Sequence, residues 1–326
     1  MKPTAIILAA GKSTRIKSSL PKPLHCVCGK SMLEHVLQAC YDAGCDKVVV
    51  VVGHGKEKIM QSFAGDSRIM WVEQKEQLGT GHAAKVCEAE IKKHGGNVFI
   101  LSGDGPLIRG EVLKTLLQAH RDDRSDATLA TAVIDNPFGY GRILRDEKGD
   151  FVSIVEEADA TPEQKLIREV FPSYYCVKAP ELLHALSLLK NNNKKGEYYL
   201  TDIFEILRKE GKKVVAVQAV AAEDILGVNT RQQLAEIDLI MQERIHRDIR
   251  EKGVTIVNSF NTYIEAGVTV GPETVIHPFT FIGRDCVIGA NCVVGPFARV
   301  PRSSVVPEGT TLSGNPSVAD PQVGGD

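Results

Sequence analysis

What this chain lacks narrows its chemistry first. Its 39 Lys and Arg stand against 41 Asp and Glu, a formal net charge of -2, so it has no basic field of the kind that gathers nucleic acid or anionic membrane. No stretch approaches the ~20 consecutive apolar residues of a membrane span. The opening Met1-Lys2-Pro3-Thr4 leads into a predicted core strand and does not read as a signal peptide. The expected location is the cytoplasm, with neither nucleic acid nor membrane as partner. The eight cysteines are scattered, and only Cys26-Val27-Cys28 and Cys40 to Cys45 lie close together. Neither spacing fits a paired zinc site, and His25 beside them brings no second ligand pair. Reduced, mostly buried thiols are the expectation. No Ser-His-Asp or Cys-His arrangement is signalled either.

Two glycine motifs are incomplete in the same informative way. Gly11-Lys12-Ser13 imitates the end of a P-loop, but Ile6 stands where that motif needs its first glycine. Gly79-Thr80-Gly81-His82-Ala83-Ala84 follows the polar stretch Glu73 to Gln77, whereas a dinucleotide fingerprint follows a buried strand. What remains is Leu8-Ala9-Ala10-Gly11-Lys12-Ser13-Thr14-Arg15, followed by Leu20-Pro21-Lys22-Pro23-Leu24. A short apolar strand, Thr4 to Ala10, runs into a turn that can offer backbone N–H groups to an anion, with Arg15 and Lys22 supplying fixed charge. That is phosphate-handling chemistry.

At 326 residues the chain exceeds the usual single domain. Over 1–229, apolar runs of strand length, such as Lys47 to Gly53 and Val98 to Leu101, alternate with amphipathic stretches such as Met32, Leu33, Val36, Leu37 and Cys40. This predicts an α/β domain, Rossmann-like, with a mostly parallel sheet covered by helices on both faces. Ligands of such sheets collect at the carboxyl ends of the strands, where the Gly11 turn and Ser102-Gly103-Asp104 both fall. Over 230–253, Leu234, Ile237, Met241, Ile245 and Ile249 mark one face of a linker helix. From Ile264, an aliphatic residue recurs every sixth position through Val270, Ile276, Ile282, Ile288, Val294, Val300, Val306 and Leu312. Period six is the hexapeptide signature, and it predicts a short left-handed parallel β-helix over 254–318, about three turns. A stack so short is expected to rely on neighbouring subunits. The last residues, 319–326, are expected to be disordered.

Taken together, these motifs resemble the sugar-phosphate nucleotidyltransferases, and most of all the N-acetylglucosamine-1-phosphate uridylyltransferases. The resemblance covers roughly Thr4 to Arg231. It implies Mg²⁺-dependent uridylyl transfer from UTP to a sugar 1-phosphate. By that resemblance Leu8, Ala9, Ala10 and Gly11 close over the nucleotide, Arg15 meets the β- and γ-phosphates, and Lys22 reaches the α-phosphate. Gln74, Gly79 and Thr80 fall in the uracil-reading segment. Gly141, Glu156, Tyr199 and Thr201 frame the sugar, and Asp104 and Asn229 hold Mg²⁺, an ion that favours oxygen ligands. The resemblance also implies a homotrimer built through the β-helix.

The sugar side departs from that pattern. Phe171-Pro172-Ser173 stands where the family has an Asn-Thr-Gly run, Ala158 replaces a lysine, and Ser102 replaces an aromatic residue. A phenyl ring cannot replace an amide, so selection for N-acetylglucosamine is expected to weaken. Two alternatives stay open here: a catalytically silent regulatory subunit that binds nucleotide sugars, and a nucleotidyltransferase using another nucleoside triphosphate. Acetyl transfer, carried in bifunctional relatives by a longer β-helix, is not expected.

Overall fold

The computed structural model describes residues 2–193 and 195–314. The predicted tail, 319–326, and the last predicted β-helix residues, 315–318, lie outside the described residues. The chain forms two compact units, Met1–His25 with Met32–Arg231, and Cys26–Ser31 with Gln232 onward.

In chain order the strands are β1 (Thr4–Leu8), β2 (Cys26–Val27), β3 (Lys30–Ser31), β4 (Val48–Val52), β5 (Ile69–Glu73), β6 (Asn97–Ser102), β7 (Ala127–Val133), β8 (Gly141–Arg145), β9 (Phe151–Val155), β10 (Glu169–Phe171), β11 (Tyr175–Lys178) and β12 (Val214–Gln218). The α-helices are α1 (Met32–Asp42), α2 (Lys56–Ser62), α3 (Thr80–Lys85), α4 (Glu88–His94), α5 (Gly110–Asp122), α6 (Pro162–Lys165), α7 (Ala179–Leu188), α8 (Asp202–Lys209) and α9 (Arg231–Arg250). None is long and apolar enough to cross a membrane among the described residues.

The first unit is built on one sheet in the order β5-β4-β1-β6-β11-β7-β10-β8-β9, with β12 beside β7. Strands β5, β4, β1 and β6 run parallel, with Ile6 level with Val49 on one side and Ile100 on the other. Strand β11 enters antiparallel between β6 and β7, and β10, β8 and β9 continue antiparallel at the far end. All five valines of β4 are buried, as a strand covered on both faces requires. Alternation sorts the strand side chains. Ala5 and Ile7 pack in a cluster with Val36 and Leu37 of α1 and Leu113 and Leu116 of α5. Ile6 points the other way, into a cluster with Ile91 of α4, Leu182 of α7 and Leu207 of α8. Both faces being sealed, the loops leaving the carboxyl ends of β1, β5 and β6 are where a ligand can enter.

In the second unit the six-residue period becomes three parallel sheets. Inward residues stack one coil apart, with Ile264 above Ile282 and Val300, Val270 beside Ile288 and Val306, and Ile276 beside Val294 and Leu312. A second period of six runs through the backbone. Glu273, Phe279, Asp285, Asn291, Phe297 and Ser303 all take φ between 56° and 61°, the left-handed conformation that turns each corner of the coil. On α9, Ile237, Met241 and Ile249 of the predicted stripe are buried, and Gln242 joins them. The Gln242 amide accepts from the Ile264 N–H at 3.0 Å and donates to its carbonyl at 2.6 Å.

The β2–β3 hairpin, far away in sequence, belongs to this unit. Its Cys28 N–H donates to Asp238 at 2.7 Å, and its Cys28 carbonyl accepts from the Ala266 N–H at 2.7 Å. Gly29 has φ +79°, and a Cβ there would overlap the Glu265 carboxyl. Glu265 is 4% exposed and accepts from the Arg302 guanidinium at 2.7 and 2.8 Å and from the Arg284 N–H at 2.8 Å. The Arg302 partner holds this carboxyl below the usual carboxylate range. A carboxylate whose folded value is depressed stabilises the fold above its unfolded value and loses that contribution as pH falls through the folded one. Glu265→Gln is therefore expected to lower the thermal midpoint near neutrality, with the gap to wild type narrowing as pH drops below about 4. Melting curves across pH test this; a gap independent of pH would refute it.

Candidate active site

The site is assembled where β1, β5 and β6 end. The Ala9 N–H donates to the Val51 carbonyl of β4 at 2.9 Å, and the Gly103 N–H to the Leu8 carbonyl at 2.9 Å, the second of which ties the turn after β6 to the end of β1. Between the loops lies a cavity of about 580 Å³, and all four of Leu8, Ala9, Ala10 and Gly11 line it, together with Lys22, Gln74, Gly79, Thr80, Asp104, Glu156 and Thr201. Gly11 has no positive φ, and nothing lies within 4 Å of the place its Cβ would take. Packing does not demand glycine there, so the space it leaves belongs to the cavity.

At the cationic end, Lys22 sits in a short 3-10 turn (Lys22–Leu24). Its ammonium group donates to both Asp104 Oδ2 and Asn229 Oδ1, the latter at 3.0 Å. Arg15 Nη2 donates to the same Asn229 oxygen at 2.8 Å. The Asp104 carbonyl accepts from the Val228 N–H at 3.0 Å, which brings the segment carrying Asn229 against the loop carrying Asp104. Ser102, one of the sequence departures, donates to Asp104 Oδ1 at 2.5 Å. Two oxygens from distant parts of the chain thus converge on one positive group. Such a donor set fits a hard divalent cation that takes its other ligands from phosphate and water.

The opposite end is a loop closed by backbone bonds. Segment 198–200 is zipped onto it: the Tyr198 N–H donates to the Leu78 carbonyl at 2.9 Å, the Gly81 N–H to the Tyr198 carbonyl at 2.7 Å, and the Leu200 N–H to Thr80 Oγ1 at 3.1 Å. Gly79 has φ +104°, and its missing Cβ would lie 2.6 Å from the Tyr198 carbonyl oxygen, so this glycine is required by the close approach. Gln74, directly after β5, donates through Nε2 to the Gly79 carbonyl at 3.1 Å.

On the third side, Thr201 Oγ1 donates to Glu156 Oε1 at 3.1 Å. Burial pushes the Glu156 carboxyl upward, and the Thr201 bond opposes that. Gly141 lies against Ile154 and Glu156 without lining the cavity. Tyr199 does not line it either; burial and the charges of Asp159 and Glu156 raise its hydroxyl. Phe171 and Ser173, where the family pattern breaks, do line the cavity. Phe171 is anchored by Tyr175 and Phe204, with ring centroids 5.5 and 5.9 Å away. Arg142, 1% exposed, donates to Glu157 at 2.7 Å, and that carboxylate also accepts from the Gly139 N–H. Sequence reading gave no sign that Arg142 is a buried support for the 156–157 segment. It also missed the Ser102 bond and the partner of Gln74 on α3, since neither residue sits in a spacing that marks chemistry.

A cationic corner, a loop closed by backbone bonds and a half-buried carboxylate around one crevice of a mostly parallel sheet suit a nucleotidyltransferase-type α/β domain. The MobA-like NTP transferase domain matches residues 5–173, more than half of the chain, and the chain belongs to that family. A bacterial transferase hexapeptide of six repeats matches residues 267–302. Among named relatives, the bifunctional protein GlmU of Alkaliphilus metalliredigens (strain QYMF) is 45% identical over 293 residues, 88% of this chain and 64% of that protein. The GlmU of Clostridioides difficile (strain 630) is 43% identical over 289 residues, 87% of this chain and 62% of that protein. The chain therefore spans less than two thirds of the length of these two relatives. A crystal structure of UDP-glucose pyrophosphorylase complexed with UDP-glucose shares the fold, with a TM-score of 0.62 over 75% of this chain and all of that one, at 20% identity.

The two loop glycines are expected to respond differently to a methyl group. Gly79→Ala should destabilise the protein by about 1–3 kcal/mol, through strain and collision with residue 198. Gly11→Ala should change stability by less than about 0.5 kcal/mol yet weaken nucleoside triphosphate binding in calorimetry. Equal stability losses would show that Gly11 is structural after all.

Proposed function

We propose that the chain transfers a uridylyl group from UTP to a sugar 1-phosphate with Mg²⁺, releasing pyrophosphate and a UDP-sugar. The observation that carries this reading is the convergence of Lys22, Arg15, Asp104 and Asn229 at one end of a cavity whose other end is the Gln74 and Gly79 loop. The same assignment is supported by the GlmU relatives.

In the proposed reaction the phosphate oxygen of the sugar 1-phosphate attacks the α-phosphorus of UTP in line. A new P–O bond forms, the bond to the bridging oxygen of pyrophosphate breaks, and the leaving electron pair stays on pyrophosphate. A phosphate monoester is already ionised at neutral pH, so this chain supplies no general base. Its residues act by position and charge. Lys22 faces the α-phosphate and the attacking oxygen, and Arg15 faces the β- and γ-phosphates where negative charge accumulates. Asp104 and Asn229 would hold Mg²⁺, which when bound neutralises phosphate charge. Ser102 orients Asp104 through its hydroxyl. Glu156 and Thr201 accept and donate hydrogen bonds at the sugar hydroxyls, beside Phe171 and Ser173 in place of the family's amide.

The same reading extends to assembly and compartment. Phe279 and Phe297 stack on the β-helix with ring centroids 5.0 Å apart and are both more than half exposed, which supports a homotrimer formed through that element. None of the eight cysteines, all within the described residues, is in a disulfide, which supports a reducing cytoplasm.

The test is a matrix of nucleoside triphosphates against sugar 1-phosphates with pyrophosphate release as readout, run on wild type and Asp104→Ala. Turnover with UTP, absent in Asp104→Ala, is expected. Turnover with another base, or binding of UDP-sugars without turnover, would replace the proposal with one of the two alternatives. Arg15→Ala is expected to lower turnover by roughly 10²–10³; an unchanged rate of pyrophosphate release would remove Arg15 from the phosphate site.

A further inference from the structure

The Gln74 side chain is held in one of its two amide orientations by two acceptors. Its Nε2 lies 3.1 Å from the Gly79 carbonyl oxygen and 3.1 Å from His82 Nδ1. A backbone carbonyl only accepts, so the end of the amide facing Gly79 is the nitrogen. That nitrogen has two hydrogens, and the second is aimed at His82, whose Nδ1 must then be the unprotonated, accepting nitrogen of the ring. Both donors of Gln74 are thereby used inside the protein. What Gln74 has left to offer the cavity it lines is the carbonyl oxygen Oε1, an acceptor. Yet Gln74 is only 4% exposed, so its acceptor is presented on a nearly immobile group.

The geometry points to His82 as the positioning residue that sets base selectivity: by accepting from Gln74 it fixes an acceptor toward the base, and so favours bases that carry an N–H donor at ring position 3. Uracil has that donor and cytosine has a lone pair there. Without the second acceptor, only the Gly79 carbonyl resists a turn of the amide, and the turned amide would present donors that suit cytosine. His82 is suited to this role by its place on α3, two residues past Thr80. Its half-buried ring also lines a second cavity of about 310 Å³ with Leu78, Lys85 and Tyr198, which gives its Nε2–H a route to solvent. The base named here rests on the uridylyl reading; the hydrogen-bond assignment does not.

Two measurements test it. Long-range ¹H–¹⁵N correlation spectra of the nucleotide-free protein, in slightly alkaline buffer, should show neutral His82 with its proton on Nε2. A proton on Nδ1 overturns the proposal whatever the substrate. The ratio of kcat/KM for UTP over CTP should then fall about tenfold in His82→Phe, the loss of one neutral hydrogen bond, and return toward wild type in His82→Asn, whose Oδ1 can accept where Nδ1 did. A ratio unmoved in His82→Phe, or lowered equally in both variants, also overturns it. If wild type does not use UTP, the uridylyl reading fails, while the spectra still decide the role of His82.

Discussion

The candidate site depends on one shared ammonium group. Lys22 reaches Asp104 and Asn229 together, and these two oxygen donors come from the end of β6 and from the segment just before α9. Unpaired, Lys22, Asp104 and Asn229 would leave the loops carrying them free to separate. Paired, the three groups set the distance between the first turn of the domain and its last segment. The backbone bond from Val228 to Asp104 reinforces the same closure. Everything else in the cavity is arranged around that corner: the glycine turn beside it, the Gly79 loop across from it, and Glu156 with Thr201 on the remaining side.

Different kinds of rigidity serve the two ends. The cationic corner is held by side chains, which can exchange partners. The Gly79 loop is held by backbone bonds to residues 198 and 200 and by a glycine with no room for a methyl group. Charge recognition tolerates rearrangement, because Coulomb attraction varies slowly with distance. Reading the edge of a base does not, because hydrogen bonds fail within a few tenths of an ångström and a few tens of degrees. The division of labour between side chain and backbone follows from that contrast.

Much of the fold was legible because burial leaves a period. The valine run of β4 and the aliphatic residue at every sixth position of the β-helix show where side chains face inward, and both became what their spacing implies. The corners of the coil were hidden. Glu273, Phe279, Asp285, Asn291, Phe297 and Ser303 share a left-handed backbone but no common chemistry, so composition could not mark them. The antiparallel half of the sheet was also obscure, since strands as short as β10 carry too few residues to show alternation. The site was legible in parts. That the glycine turn, Arg15 and Lys22 share one corner could be read from their closeness in sequence, whereas the approach of Asp104 to Asn229 was expected only from family resemblance. The Ser102 and His82 contacts had no signal, because each acts through another residue.

The hairpin Cys26–Ser31 has a consequence for dissecting the molecule. Its flanks, His25 and Met32, belong to the nucleotidyltransferase unit, while its own backbone is bonded to Asp238 and Ala266 of the other. The polypeptide therefore passes between the units three times, and no single cut yields two intact pieces. A fragment ending at residue 231 would keep the hairpin but strip it of its acceptor and donor. Modularity here is a property of the packing and not of the covalent chain, so gene fragments chosen by linear boundaries would inherit an orphaned loop.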